Sequence, residues 1–138
     1  MGAWGSGAFD NDDSGDWLDQ LQESSDTSVL AEALDNVVSC DEDCLEVPDA
    51  SYAVAAAEVV AALKGHPPAE FDEIAQEWVD ANASLDVSDL VSTAVEALQR
   101  VRTDSELKEL WDESADSAKW YAVLDDITRR LGVRAARR

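Results

Sequence analysis

Pro48-Asp49-Ala50-Ser51-Tyr52-Ala53-Val54-Ala55-Ala56-Ala57-Glu58-Val59-Val60-Ala61-Ala62-Leu63-Lys64-Gly65 is the stretch that decides the fold. Pro48 suits the first turn of a helix, where its missing N–H would have had no partner, and Gly65, with Pro67 just beyond, marks the stop. Between them, Ala53, Ala55, Ala56, Ala57, Ala61 and Ala62 put small side chains on every side. Neighbours can approach such a helix closely from all directions, which predicts the central, most buried helix of the molecule. Its apolar run, Ala53–Leu63, is eleven residues long and broken by Glu58, whereas a membrane span needs about 20. It reads as a core helix.

Helical periodicity extends outward in both directions. Trp17, Leu18 and Leu21 mark a first short helix. Asp26 or Thr27 can cap a second, whose apolar positions are Val29, Leu30, Ala33, Leu34, Val37 and Val38. Beyond the central helix, a fourth follows Pro68 with Phe71, Ile74, Ala75, Trp78 and Val79 on one face. A fifth starts near Asp86 and carries Val87, Leu90, Val91, Ala94, Leu98 and Val101. Thr103-Asp104-Ser105-Glu106 reads as a capping box, after which Leu107, Leu110 and Trp111 form a short apolar edge. The last helix spans about Asp116 to Leu131, with Trp120, Leu124, Ile127 and Leu131 on its stripe and Gly132 at its end. Within it, Asp125/Arg129 and Asp126/Arg130 have the favourable acid-first spacing of four. No strand-like alternation bounded by hairpin turns occurs. The expectation is an all-α fold: a single compact bundle of six or seven helices over residues 1–132. An ordered Gly/Trp-containing N-terminal arm (1–12) docks on it, and a basic C-terminal tail occupies 133–138.

The 138 residues include 31 acids against 10 Lys and Arg, for a formal net charge of −21. Apolar residues at 46% and charged residues at 30% argue for a globular chain rather than a disordered one. So acidic a surface repels phosphate backbones and anionic lipid, which excludes ordinary nucleic-acid and membrane-surface binding. The charge is uneven. Residues 1–63 hold 15 acids and no Lys or Arg, and residues 129–138 hold five Arg and no acid. The plain reading is a solvated acidic face with the basic tail lying against it; the functional one is a recognition surface for a basic partner.

Met1–Gly7 lacks the basic and apolar regions of a secretory signal, and the chain is expected to be cytoplasmic. Met1-Gly2 with Ser6 fits a myristoylation pattern short enough for chance to supply often. Cys40 and Cys44 are too few for a disulfide framework and lack two further soft ligands for zinc, so they read as incidental thiols or one local bridge. Asn82-Ala83-Ser84 is a glycosylation sequon, without meaning in a cytoplasmic chain. His66 reads as a surface turn residue or a helix cap.

Two features bear on chemistry. Asp10-Asn11-Asp12-Asp13-Ser14-Gly15-Asp16 opens like a calcium loop, which makes Asp10, Asp12, Asp13 and Asp16 weak candidate metal ligands. Leu21 stands where the bidentate Glu belongs, however, so a turn capping the Trp17 helix is the preferred reading. Glu58, if buried, needs a partner; Arg100, Arg102, Lys108 or an indole N–H could supply one, and a raised pKa would make it a candidate acid or base. There is no nucleophile–base pair or phosphate loop. Trp17, Trp78, Trp111 and Trp120 lie on apolar helical faces, where packing is the ordinary role, while Trp4 in its Gly-rich arm must dock or act as an exposed anchor.

Met1-Gly2-Ala3-Trp4-Gly5-Ser6-Gly7-Ala8-Phe9-Asp10-Asn11-Asp12, followed by Asp16-Trp17-Leu18, resembles the bacterial family known as domain of unknown function 4259. The similarity continues through Ala56–Ala62, Ser105–Trp111 and Arg130-Leu131, and so covers essentially the whole chain. Ser14-Gly15 departs from the Ala-rich sequence expected at that point. The resemblance implies a small bacterial protein in which Trp4, Phe9, Asn11 and Asp12 act together. It supplies no activity, cofactor or catalytic residue.

Together these readings favour a non-enzymatic interaction protein for a basic partner, of inhibitor or immunity type, with no cofactor. The candidate structural or interaction residues are Trp4, Phe9, Asn11, Asp12, Trp17, Glu58 and Trp111. The alternative is a carboxylate-based enzyme or divalent-metal-binding protein using the Asp10–Asp16 segment or Glu58.

Overall fold

A computed structural model describes residues 12–39, 46–66, 72–103 and 105–131. Among these residues there are seven helices and no strand: α1 (Asp12–Gln22), α2 (Ser28–Val38), α3 (Val47–Leu63), α4 (Glu73–Ala81), α5 (Ser88–Thr103), α6 (Glu106–Asp112) and α7 (Ser117–Arg130). The all-α expectation therefore holds. The arm at 1–11, Cys40 and Cys44, Phe71, and everything from Gly132 on lie outside the described residues.

Helix α3 touches all six of the others. Its run Ala53–Ala62 is buried without interruption, as all-round small side chains require of a central helix. Leu30, Leu34 and Val37 of α2, Ala94, Leu98 and Val101 of α5, and Trp17 and Leu21 of α1 are buried with it in one apolar cluster. Trp78 of α4 closes the α1 side, its indole Nε1 donating to the Ser24 carbonyl at 2.8 Å. No helix among the described residues is long and apolar enough to cross a membrane.

The helix starts follow a shared chemistry. In Asp26-Thr27-Ser28 and Asp86-Val87-Ser88 the Asp Oδ1 accepts from both the backbone N–H and the hydroxyl of the Ser two residues on. These bonds hold Asp26 and Asp86 below the usual carboxylate range. Asp72 caps α4 by accepting from the Ile74 and Ala75 N–H groups.

Four details differ from the periodicity reading. The cap of α6 is Ser105, whose Oγ accepts from the Lys108 N–H at 3.0 Å. Thr103 is still helical, with its hydroxyl bonded back to the Gln99 carbonyl, so it cannot be the cap. Ile74 and Leu110 are exposed, at 38% and 47%; each lies at the margin of its apolar stripe, and Leu107 with Trp111 alone forms the buried side of α6. On α7, Asp126/Arg130 pair as expected, but Asp125 reaches across to Arg102 of α5 and Arg129 pairs with Asp126. Asp125 stands on the opposite flank of the buried stripe from Asp126, facing α5.

Candidate functional site

Glu58 is the buried charged side chain of the central helix, at 4% exposure, whereas Asp49 stands in that helix's first turn. A carboxylate cannot be buried without compensation. Compensation comes from Arg130, 72 residues away on the last turn of α7, whose Nη1 lies 2.6 Å from Glu58 Oε2. Arg130 was not among the partners expected; Arg102 is engaged with Asp125, and Lys108 with Asp112. The signal was nonetheless in the sequence. Arg130 is three residues from Ile127 and adjacent to Leu131, on the margin of the α7 stripe, whereas Arg129 projects away from it.

The guanidinium makes two further contacts. Its Nε donates to Asp126 Oδ2 at 2.7 Å, and Nη1 also donates to the His66 carbonyl at 3.1 Å. That carbonyl is set by the end of α3. Gly65 sits at φ +95°, and the N–H groups of Gly65 and His66 fold back onto the Ala62 and Ala61 carbonyls, a Schellman closure that favours glycine. His66 is thus an exposed turn residue whose backbone, rather than its ring, enters the cluster. Burial pushes the Glu58 carboxyl above its ordinary range, further than Arg130 pulls it down. Burial opposes the charge on Arg130 too, but there the neighbouring carboxylates outweigh it and its pKa is raised. The cluster ties α3, its terminal turn and α7 together. The other buried polar side chain of α3 is Ser51, whose Oγ has no hydrogen-bond partner among the described residues.

Of the remaining candidates, Trp4, Phe9, Asp10 and Asn11 lie outside the described residues. Asp12 and Asp13 belong to the first turn of α1, which starts earlier than the turn-and-cap reading places it, and Asp16 is exposed on the same helix. No three His, Cys, Asp or Glu groups converge among the described residues. Trp17 is buried at 2%. Asn82 ends α4, its side chain donating to the Trp78 carbonyl.

Trp111 belongs to a second constellation, which periodicity alone did not assemble. Its ring stacks on Trp120, with centroids 6.2 Å apart and planes 9° from parallel. Trp120 meets Tyr121 edge-on at 5.0 Å, and the Arg102 guanidinium lies 5.1 Å over the Tyr121 ring. Tyr121 donates its hydroxyl to Asp112 at 2.7 Å, and Lys108 holds the other oxygen of that carboxylate at 2.6 Å. The two bonds hold Asp112 below its usual range, while burial first, and then the bond to Asp112, raise Tyr121. Beside this stack opens a surface hollow of about 410 Å³ lined by Leu110, Trp111, Ser114 and Asp116.

A family model described as Domain of unknown function (DUF4259) matches residues 2–123. The chain belongs to this family. The matched span runs from the N-terminal arm through the first half of α7, so it takes in Glu58 and Trp111 but stops short of Arg130. No curated protein and no solved structure matches the chain.

Proposed function

We propose that this protein is a non-enzymatic interaction module of the bacterial cytoplasm that binds a basic protein partner, as an inhibitor or immunity-type protein does. Its binding unit is one helical domain over residues 1–132.

The observation that carries the reading is where charge is left uncompensated. The ion pairs among the described residues involve Glu58 of α3 and side chains of α5 to α7 and the α6–α7 turn. Along α1, α2 and α4, the exposed carboxylates of Asp16, Asp19, Glu32, Asp35, Glu73, Glu77 and Asp80 have no cation partner among the described residues. Such a field repels itself and costs folding free energy, yet it accelerates encounter with a cationic surface.

The test is affinity capture at low ionic strength, followed by a salt titration of binding to the recovered partner after purification. A basic protein whose association weakens steeply as salt shortens the screening length is the expected result. Recovery of nothing at low salt, or of a partner indifferent to salt, would overturn it.

A further inference from the structure

We infer that the solvent-facing side of α6 is the anchor point for the basic partner, and that it takes a helical or extended peptide segment presenting one aliphatic side chain flanked by Lys or Arg. The inference rests on the basic-partner reading and adds to it a place and a recognition chemistry.

Three observations converge on α6. Leu110 is 47% exposed, more than any other large hydrophobic side chain described. It borders the hollow of about 410 Å³ whose wall includes Trp111, and that volume is enough for an aliphatic side chain to enter. The Trp111–Trp120 stack stands behind that wall, with Tyr121 and the Lys108–Asp112 pair buttressing it. A partner therefore meets a surface already fixed in shape and loses little ordering entropy there.

The third observation is charge. At helical spacing, Glu106, Glu109 and Glu113 fall on the same stripe as Leu110. All three are exposed and have no cation partner among the described residues. Of the bases nearby in sequence, Lys108 is held by Asp112 at 2.6 Å, and the exposed Lys119 lies 3.8 Å from Asp116. An apolar anchor inside a carboxylate rim is the arrangement in which the centre of an interface holds and its edge selects. Rim carboxylates select for Lys and Arg. Arg129 and Arg130, the described arginines of α7, are engaged with Asp126 and Glu58 at the far end of this 14-residue helix, about 21 Å from its start beside the hollow.

The test uses the isotope-labelled full chain and a synthetic helical peptide with one leucine set among lysines. Its controls are the same peptide with the leucine changed to alanine and one with glutamates for lysines. Amide shift changes are expected to concentrate in residues 106–116. Leu110→Ala, with an unchanged melting temperature, should weaken binding about tenfold. The pair Glu109→Gln and Glu113→Gln should weaken it several-fold at low salt and less at high salt. Glu32→Gln with Asp35→Asn on α2 should leave it within about twofold. Equal binding to the Leu110→Ala protein, with shifts mapping to α2 or α4, would overturn the placement and leave the basic-partner reading standing. Failure of every lysine-rich peptide at low salt would overturn both. Equal binding of the glutamate peptide would overturn the charge selection.

Discussion

Glu58 and Leu110 are each the exception in their helix, in opposite senses. Glu58 is a carboxylate in an otherwise apolar run, held at 4% exposure. Leu110 is an aliphatic side chain in an acidic helix, left 47% exposed. The first exception is closed within the molecule, because Arg130 arrives from the end of α7 and divides its guanidinium between Glu58, Asp126 and the His66 carbonyl. The second stays open, bordered by a hollow and by Glu106, Glu109 and Glu113, which have no cation partner among the described residues. A buried charge must be answered inside the fold, whereas an exposed apolar group can be answered by another molecule. That difference separates a residue that holds the fold from one that meets a partner.

The largest expected effect comes from breaking the closed exception. Arg130→Ala leaves a buried carboxylate without its cation and should lower the unfolding free energy by about 3–5 kcal/mol at neutral pH, read by urea denaturation. The pH dependence follows from the raised pKa of Glu58. A carboxyl whose folded pKa lies above its unfolded value contributes most below the ordinary glutamate range and loses that contribution as pH rises through the folded value. Without Arg130 the folded value climbs further. The deficit of Arg130→Ala should therefore shrink as pH falls and Glu58 takes up a proton. In a Glu58→Gln background the same substitution should show little of that dependence. A deficit that stays constant with pH would mean that Arg130 acts by packing alone.

A smaller effect is expected from the turn that offers Arg130 its backbone acceptor. A Cβ at Gly65 would meet nothing within 4 Å, but the residue sits at φ +95°. Gly65→Ala should accordingly destabilise by backbone strain alone, about 1–2 kcal/mol, read as a lowered melting temperature. A loss as large as that of Arg130→Ala would indicate that the turn, rather than the ion pair, holds α7 against α3.

The fold was legible in the sequence where the signal is a property of one helix. Ala53–Ala62 is apolar on all sides, and only a central position buries all sides; Trp120, Leu124 and Ile127 define α7 in the same local way. What depends on two helices was less legible. Arg102 and Arg130 look equivalent in composition, and only the packing of α7 on α3 and α5 decides that one meets Glu58 and the other Asp125. The α6 boundary is ambiguous in the sequence because Thr103 has Glu106 at capping-box spacing whereas Ser105, which caps through its hydroxyl alone, has Lys108 there, and the choice depends on where α5 ends. Helical spacing places Leu110 with Leu107 and Trp111 on one apolar edge, but the seven-residue α6 is docked by Leu107 and Trp111 and leaves Leu110 exposed. The misplaced leucine and the three carboxylates beside it are the part of the surface that composition alone could not locate.

The most direct measurement is a double-mutant cycle across the interface, pairing Leu110→Ala in the protein with the leucine-to-alanine change in the lysine-rich peptide. If the two side chains meet, the second substitution should add little once the first is made, with a coupling of about 1 kcal/mol or more that persists at high salt. Strict additivity of the two changes would contradict a binding surface centred on Leu110.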